Sequence, residues 1–187
     1  MISLLVASVI VAQPATTSWT VGDLGISACT RMSDVQEAAD ADLVGKALHF
    51  VSASDITGLL DTRPALEALV ERHHDRGRAE RCADVVWVNS GDANDALYLQ
   101  ADMVGSVTKA TASTSRIEVV RNYILDATAI LAALAIDGAD KEKAAHWLEI
   151  GVRVAPNDST LLRLRAFLNA PTSTGQAFRV LRPKGAR

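Results

Sequence analysis

Between Leu125 and Asp158 small and large residues recur at the positions that let two antiparallel helices pack closely, and this stretch constrains the fold more than any other. Ile117, Val120, Ile124, Leu131 and Leu134 keep a 3.6-residue apolar stripe as far as Ile136, where Asp137-Gly138 ends it. Asp140 is placed to cap a second helix over 141–154, with Ala144, Ala145, Trp147, Leu148, Gly151 and Val152 on its apolar face, and Pro156 closes it. Ser115-Arg116-Ile117-Glu118 has the capping-box pattern and predicts that the first helix starts there.

Alanine is abundant and aromatic residues make up only 4% of the chain, which favours closely spaced helices over a sheet. The expected class is therefore all-α, with helical hairpins stacked into a solenoid or gathered into a bundle. A short helix over 23–32 would carry Cys29. A longer one over 35–52 would be capped by Ser33 or Asp34, with Ala38, Leu43, Ala47, Leu48 and Val51 on one stripe. Ser54-Asp55 opens a helical turn to Leu60, and Asp61-Thr62-Arg63-Pro64 starts a separate helix that stops at Gly77. Ala79, Cys82, Ala83, Val86 and Trp87 fall at helical spacings over 78–89, although Val85-Val86-Trp87-Val88 also has strand propensity. Further helices are expected over 94–107 and from Asp158 or Ser159 to Leu168, with a loop over 108–114.

Ile2 to Ala12 is an uninterrupted run of apolar and small residues followed by Gln13-Pro14-Ala15 and a polar stretch, which reads as a secretory signal peptide over 1–15. The run has about half of the ~20 residues needed to span a bilayer, so no transmembrane span is expected after cleavage. One helical domain over 16–170 and a basic tail over 171–187 would follow, the tail interleaving Phe178, Val180 and Leu181 with Arg179, Arg182, Lys184 and Arg187. An exported chain with two cysteines, Cys29 and Cys82, is compatible with one disulfide or with two separately buried thiols. Ile26-Ser27-Ala28-Cys29 also matches a lipobox, the minority alternative of a lipid anchor at Cys29. Thr20, Gly22, Asp23 and Gly25 interrupt the apolar run that a lipobox normally continues. The expected location is periplasmic or secreted.

Candidate chemistry is sparse. His73 and His74 are adjacent, so on a helix they point about 100° apart and cannot chelate one ion as an i,i+4 pair does. With Arg72, Asp75, Arg76 and Arg78 around them they read as a solvated helix end. No nucleophile elbow, glycine-rich phosphate loop or metal-ligand spacing occurs, so no catalytic residue, metal or cofactor is expected. The net charge of −3 lacks the basic footprint of nucleic-acid binding.

Counted back from Pro156, the hairpin resembles a tetratricopeptide repeat. Leu131 and Ala132 stand in its first helix, and Ala144, Leu148 and Gly151 take the small, large and small positions of its second. The departures are Thr128 and Ala135, where the family places Trp and Tyr. The resemblance implies a protein-interaction module for a protein or peptide partner, without chemistry of its own, in which Asp126, Ala129 and Ala133 line a concave groove. The competing expectation is a small exported helical-bundle enzyme or ligand carrier, with the His73-His74 region or Trp87 beside a pocket.

Overall fold

The computed structural model describes residues 19–21, 24–95, 97–99, 116–168 and 175–181. The expected signal segment, the loop over 108–114 and most of the basic tail lie outside them. The elements run β1 (Trp19–Val21), β2 (Leu24–Ala28), α1 (Asp34–Ala53), α2 (Ile56–Arg72), β3 (Ala79–Cys82), β4 (Val85–Ser90), β5 (Arg116–Arg121), α3 (Tyr123–Asp137), α4 (Lys141–Val154), α5 (Ser159–Phe167) and α6 (Gln176–Leu181). Residues 93–95 and 97–99 are also helical.

The expected all-α class does not hold, because a five-stranded mixed sheet accompanies the helices and makes the chain α/β. Its strands lie side by side in chain order. The β1/β2 and β3/β4 pairs are antiparallel, while β2/β3 and β4/β5 are parallel. The first parallel pair is bridged by α1 and α2, as such pairs require a long crossover.

Three segments expected to be helical are strands, because each finds a neighbouring strand to pair with. Residues 24–28 pair with both β1 and β3. Residues 79–90 form a hairpin that turns at Ala83 and Asp84, with Ala83 in the left-handed region at φ 55°. The run 116–121 satisfies helical and extended spacing alike, but β4 offers it a full parallel ladder from Val85↔Arg116 to Ser90↔Arg121. The capping box at Ser115 is therefore not a helix start. Asn122 caps α3 instead, its side-chain oxygen accepting from the Ile124 N–H.

Three helices, α1, α4 and α5, follow expectation closely. In α1 the Ser33 hydroxyl accepts from the Gln36 amide. Helix α4 is capped by Asp140 through Lys143, and α5 by Asp158 through Thr160 and Leu161. The α3–α4 hairpin places Leu131, Ala132, Ala144 and Leu148 in the core, with Gly151 buried and Pro156 exposed just beyond α4. Helix α2 runs unbroken through Pro64, where two pieces were expected. The buried stripe Leu59, Thr62, Leu66, Leu69 and Val70 outweighs the cost of proline in a helix, about 3 kcal/mol. Phe178 and Ala177 are buried on α6, which packs against α3 as a helix and not as an extended tail.

Among the described residues apolar burial divides into two separate cores. The larger contains side chains of α1 to α6 and of the turn after α4, with no strand residue. The smaller lies on one face of the sheet and consists of Ile26, Ala79, Val86, Val88 and Leu99. Alternation along the strands turns Ser27, Glu80, Trp87, Asn89 and Val120 to the opposite face. That face meets the helices, and what lies between them is polar.

Candidate functional site

The polar layer begins with two carboxylates one helical turn apart on α1. Glu37 and Asp40 are both buried, as are Arg76, which follows α2, and Glu80 on β3. Arg76 grips Glu37 through both terminal nitrogens, at 2.6 and 3.2 Å, and its Nε lies 3.5 Å from Glu80. Glu80 in turn accepts from the Thr30 amide and hydroxyl. Asp40 accepts from Gln36 and Arg72 at one oxygen, while its other oxygen is 2.9 Å from His73 Nε2. Tyr123, the first residue of α3, donates its hydroxyl to Glu37 at 2.9 Å and lies 3.3 Å from His73. Asn89 on β4 and the cap residue Asn122 close the layer, Asn122 donating to the Asn89 side chain.

Such a layer is stable only when its charges answer one another. Burial alone would push the Glu37 carboxyl up, but hydrogen bonds from Arg76 and the Met32 amide, the Arg76 charge and the Tyr123 hydroxyl outweigh it. The carboxyl is held at about 2, against an ordinary 4.5. Arg76 moves the opposite way, its hydrogen bonds and charge contact with Glu37 overcoming burial and keeping the guanidinium charged. Burial lowers His73, Asp40 only partly opposes this, and the Arg76 charge lowers it further, so the ring is neutral. Facing the Asp40 carboxylate, its proton sits on Nε2, which leaves Nδ1 buried without a hydrogen bond among the described residues. Burial and the hydrogen bond to Glu37 raise Tyr123, so its hydroxyl stays a donor.

Beside this layer opens a cavity of about 360 Å³. Arg31, Asp34, Glu37, Ala38, Ala41, Arg76, Asn89, Val120, Asn122 and Tyr123 line it. Arg31 is held differently from Arg76. Its guanidinium lies 4.2 Å above the Trp87 ring and 3.9 Å from Glu37, and it makes no hydrogen bond among the described residues. The segment that carries it is anchored by the Cys29–Cys82 disulfide, with Cα atoms 4.8 Å apart, on the rung just beyond Ala28↔Arg81. The two cysteines are therefore one disulfide, and Cys29 has no free thiol.

The groove expected on α3 is absent as an open surface. Ala133 is fully buried and Ala129 is 4% exposed, because α6 and α5 both pack against α3. Asp126 and Ala129 line a recess of about 40 Å³ beside Gly91, Asp92 and Asp158. There Asp92 and Asp158 cap one another's segments: Asp158 accepts from the Asp92 amide, and Asp92 accepts from the Ser159 amide and hydroxyl. His73 is buried in the polar layer, not solvated as expected, while His74 and Asp75 are exposed. Trp87 lies under the Arg31 guanidinium but does not itself line the cavity.

The residues that build the layer escaped sequence reasoning because helical spacing of charges reads as a solvated face. One signal was present: Glu37, Asp40 and Val44 share a stripe with Ala47 and Val51, so the carboxylates continue an apolar face. Among the described residues no group of three or more His, Cys, Asp or Glu side chains is placed to hold a metal ion, and no helix is long and apolar enough to cross a membrane. No protein-family model matches the chain, and no curated protein or solved structure is significantly similar to it.

Proposed function

We propose that this chain is an exported binding protein without catalytic chemistry of its own, and that it binds at the polar seam between sheet and helices. The observation that carries the reading is the cavity of about 360 Å³, which opens between two independently buried cores. Ligand sites favour such junctions, and this volume falls at the small end of their range. The disulfide supports an oxidising location, in agreement with the apolar run Ile2 to Ala12. Among the described residues of the seam no nucleophile with a lowered pKa stands beside a base: His73 has Asp40 and Tyr123 as neighbours, and Tyr123 holds its proton.

A protein partner is the second reading, favoured by Leu97 and Tyr98, which are 66% and 53% exposed side by side. One experiment separates the two. Ala38 and Ala41 are exposed and line the cavity, so Ala38→Trp and Ala41→Trp fill it without replacing any member of the buried ion pairs. The low-molecular-weight fraction of an envelope extract is expected to raise the melting temperature of the wild-type chain and not of the filled variants. Equal shifts in all three, or no shift in any, would remove the seam as the binding site. A shift given only by the macromolecular fraction and abolished by Leu97→Ser and Tyr98→Ser would favour the second reading.

A further inference from the structure

Resting on the seam cavity as the binding site, we infer that its ligand is a small zwitterion whose carboxylate docks on Arg31 and whose ammonium faces Asp34. The guanidinium of Arg31 is largely covered, with 21% of its side chain exposed, and it stacks on Trp87. Its N–H donors make no hydrogen bond among the described residues. A planar carboxylate matches such a fork through two parallel hydrogen bonds. Arg76 cannot take this role, because Glu37 already occupies its two terminal nitrogens.

Charge decides what else the ligand carries. The layer behind the cavity is balanced, with Arg31, Arg72 and Arg76 set against Glu37, Asp40 and Glu80. A plain anion entering this partly desolvated space would break that balance, at a cost that rises as the local dielectric falls. A ligand that brings its own ammonium does not. Asp34 lines the same cavity, is exposed, and makes no hydrogen bond or ion pair among the described residues, so its carboxylate is free to receive that group. The volume of about 360 Å³ admits a molecule of amino-acid size. Tyr123 and Glu37, bound to one another, form a fixed polar wall that holds its hydrogen bonds whether or not the ligand is present.

Calorimetric titration of the full chain, disulfide intact, with alanine, serine, glutamine and glutamate tests this. At least one is expected to bind saturably. Its primary amide, which lacks the carboxylate, and its N-acetyl form, which lacks the ammonium, are each expected to bind at least tenfold more weakly. Arg31→Gln is expected to abolish binding and Arg31→Lys to weaken it about tenfold. Asp34→Asn should weaken the amino acid but not its N-acetyl form. No binding by any of the four, equal binding of the amide, or full retention in Arg31→Gln each overturns the assignment, and the ligand analogues keep the test decisive if a variant misfolds. Where the extract still protects the wild-type chain and not the cavity-filled variants, such an outcome would leave the seam as the site and remove only the ligand class.

Discussion

Glu37 shows how much one side chain can tie together. It joins α1 to Arg76 beyond α2, to the Met32 amide before α1 and to Tyr123 at the start of α3. Its carboxyl titrates at about 2 in the folded chain and at 4.5 when unfolded, so between these values the unfolded chain binds more protons. The stabilisation is therefore complete above about pH 4.5 and is lost as pH falls toward 2. Glu37→Gln leaves the Arg76 charge with Glu80 alone, at 3.5 Å, and is expected to cost up to about 3 kcal/mol at pH 7. In urea unfolding at pH 6 and pH 3, the wild-type chain should lose more stability on acidification than the variant. Equal losses would show that Glu37 is not the responsible group. The sequence concealed this residue because a glutamate three positions from an aspartate on a helix normally faces water, and its partner Arg76 is far along the chain.

Among elements, the α3–α4 hairpin was the most legible, and Gly151 explains why. A Cβ at this position would come within 2.7 Å of Thr128 Oγ1 and 3.0 Å of Leu161, so the helices meet at a distance only glycine permits. Gly151→Ala gains about 1 kcal/mol of helix propensity but overpacks this contact by about 1–3 kcal/mol, and a net loss is expected in chemical denaturation. In a Thr128→Ala background the loss should shrink, since the nearer obstacle is gone; an unchanged loss would place the strain at Leu161 alone. Caps at Ser33, Asp140 and Asp158 were readable because each bonds an amide two or three residues along the chain. Strands β2 to β5 were not, because their pairing depends on partners up to tens of residues away. Ala83-Asp84, which turns the β3–β4 hairpin, lacks the glycine that usually announces such a turn.

At the scale of the whole molecule, a buried polar layer separates two apolar cores, and covalent chemistry reinforces the smaller one. Among the described residues the sheet core comprises only five buried side chains. The Cys29–Cys82 bond spans 53 positions and ties β2 to β3 beside it. On the chain-entropy model, closing a loop of that length contributes about 4 kcal/mol. Replacing both cysteines by serine is expected to remove stabilisation of that order. The loss should not be uniform, because the larger core contains no strand residue and α3 packs against α4, α5 and α6. Hydrogen exchange of the double variant should show backbone amides of 26–28 and 79–90 opening well before those of 124–136. Uniform loss of protection would mean that the ion pairs across the seam, Arg76 to Glu37 and Glu80, couple the cores into one cooperative unit despite their separate apolar surfaces.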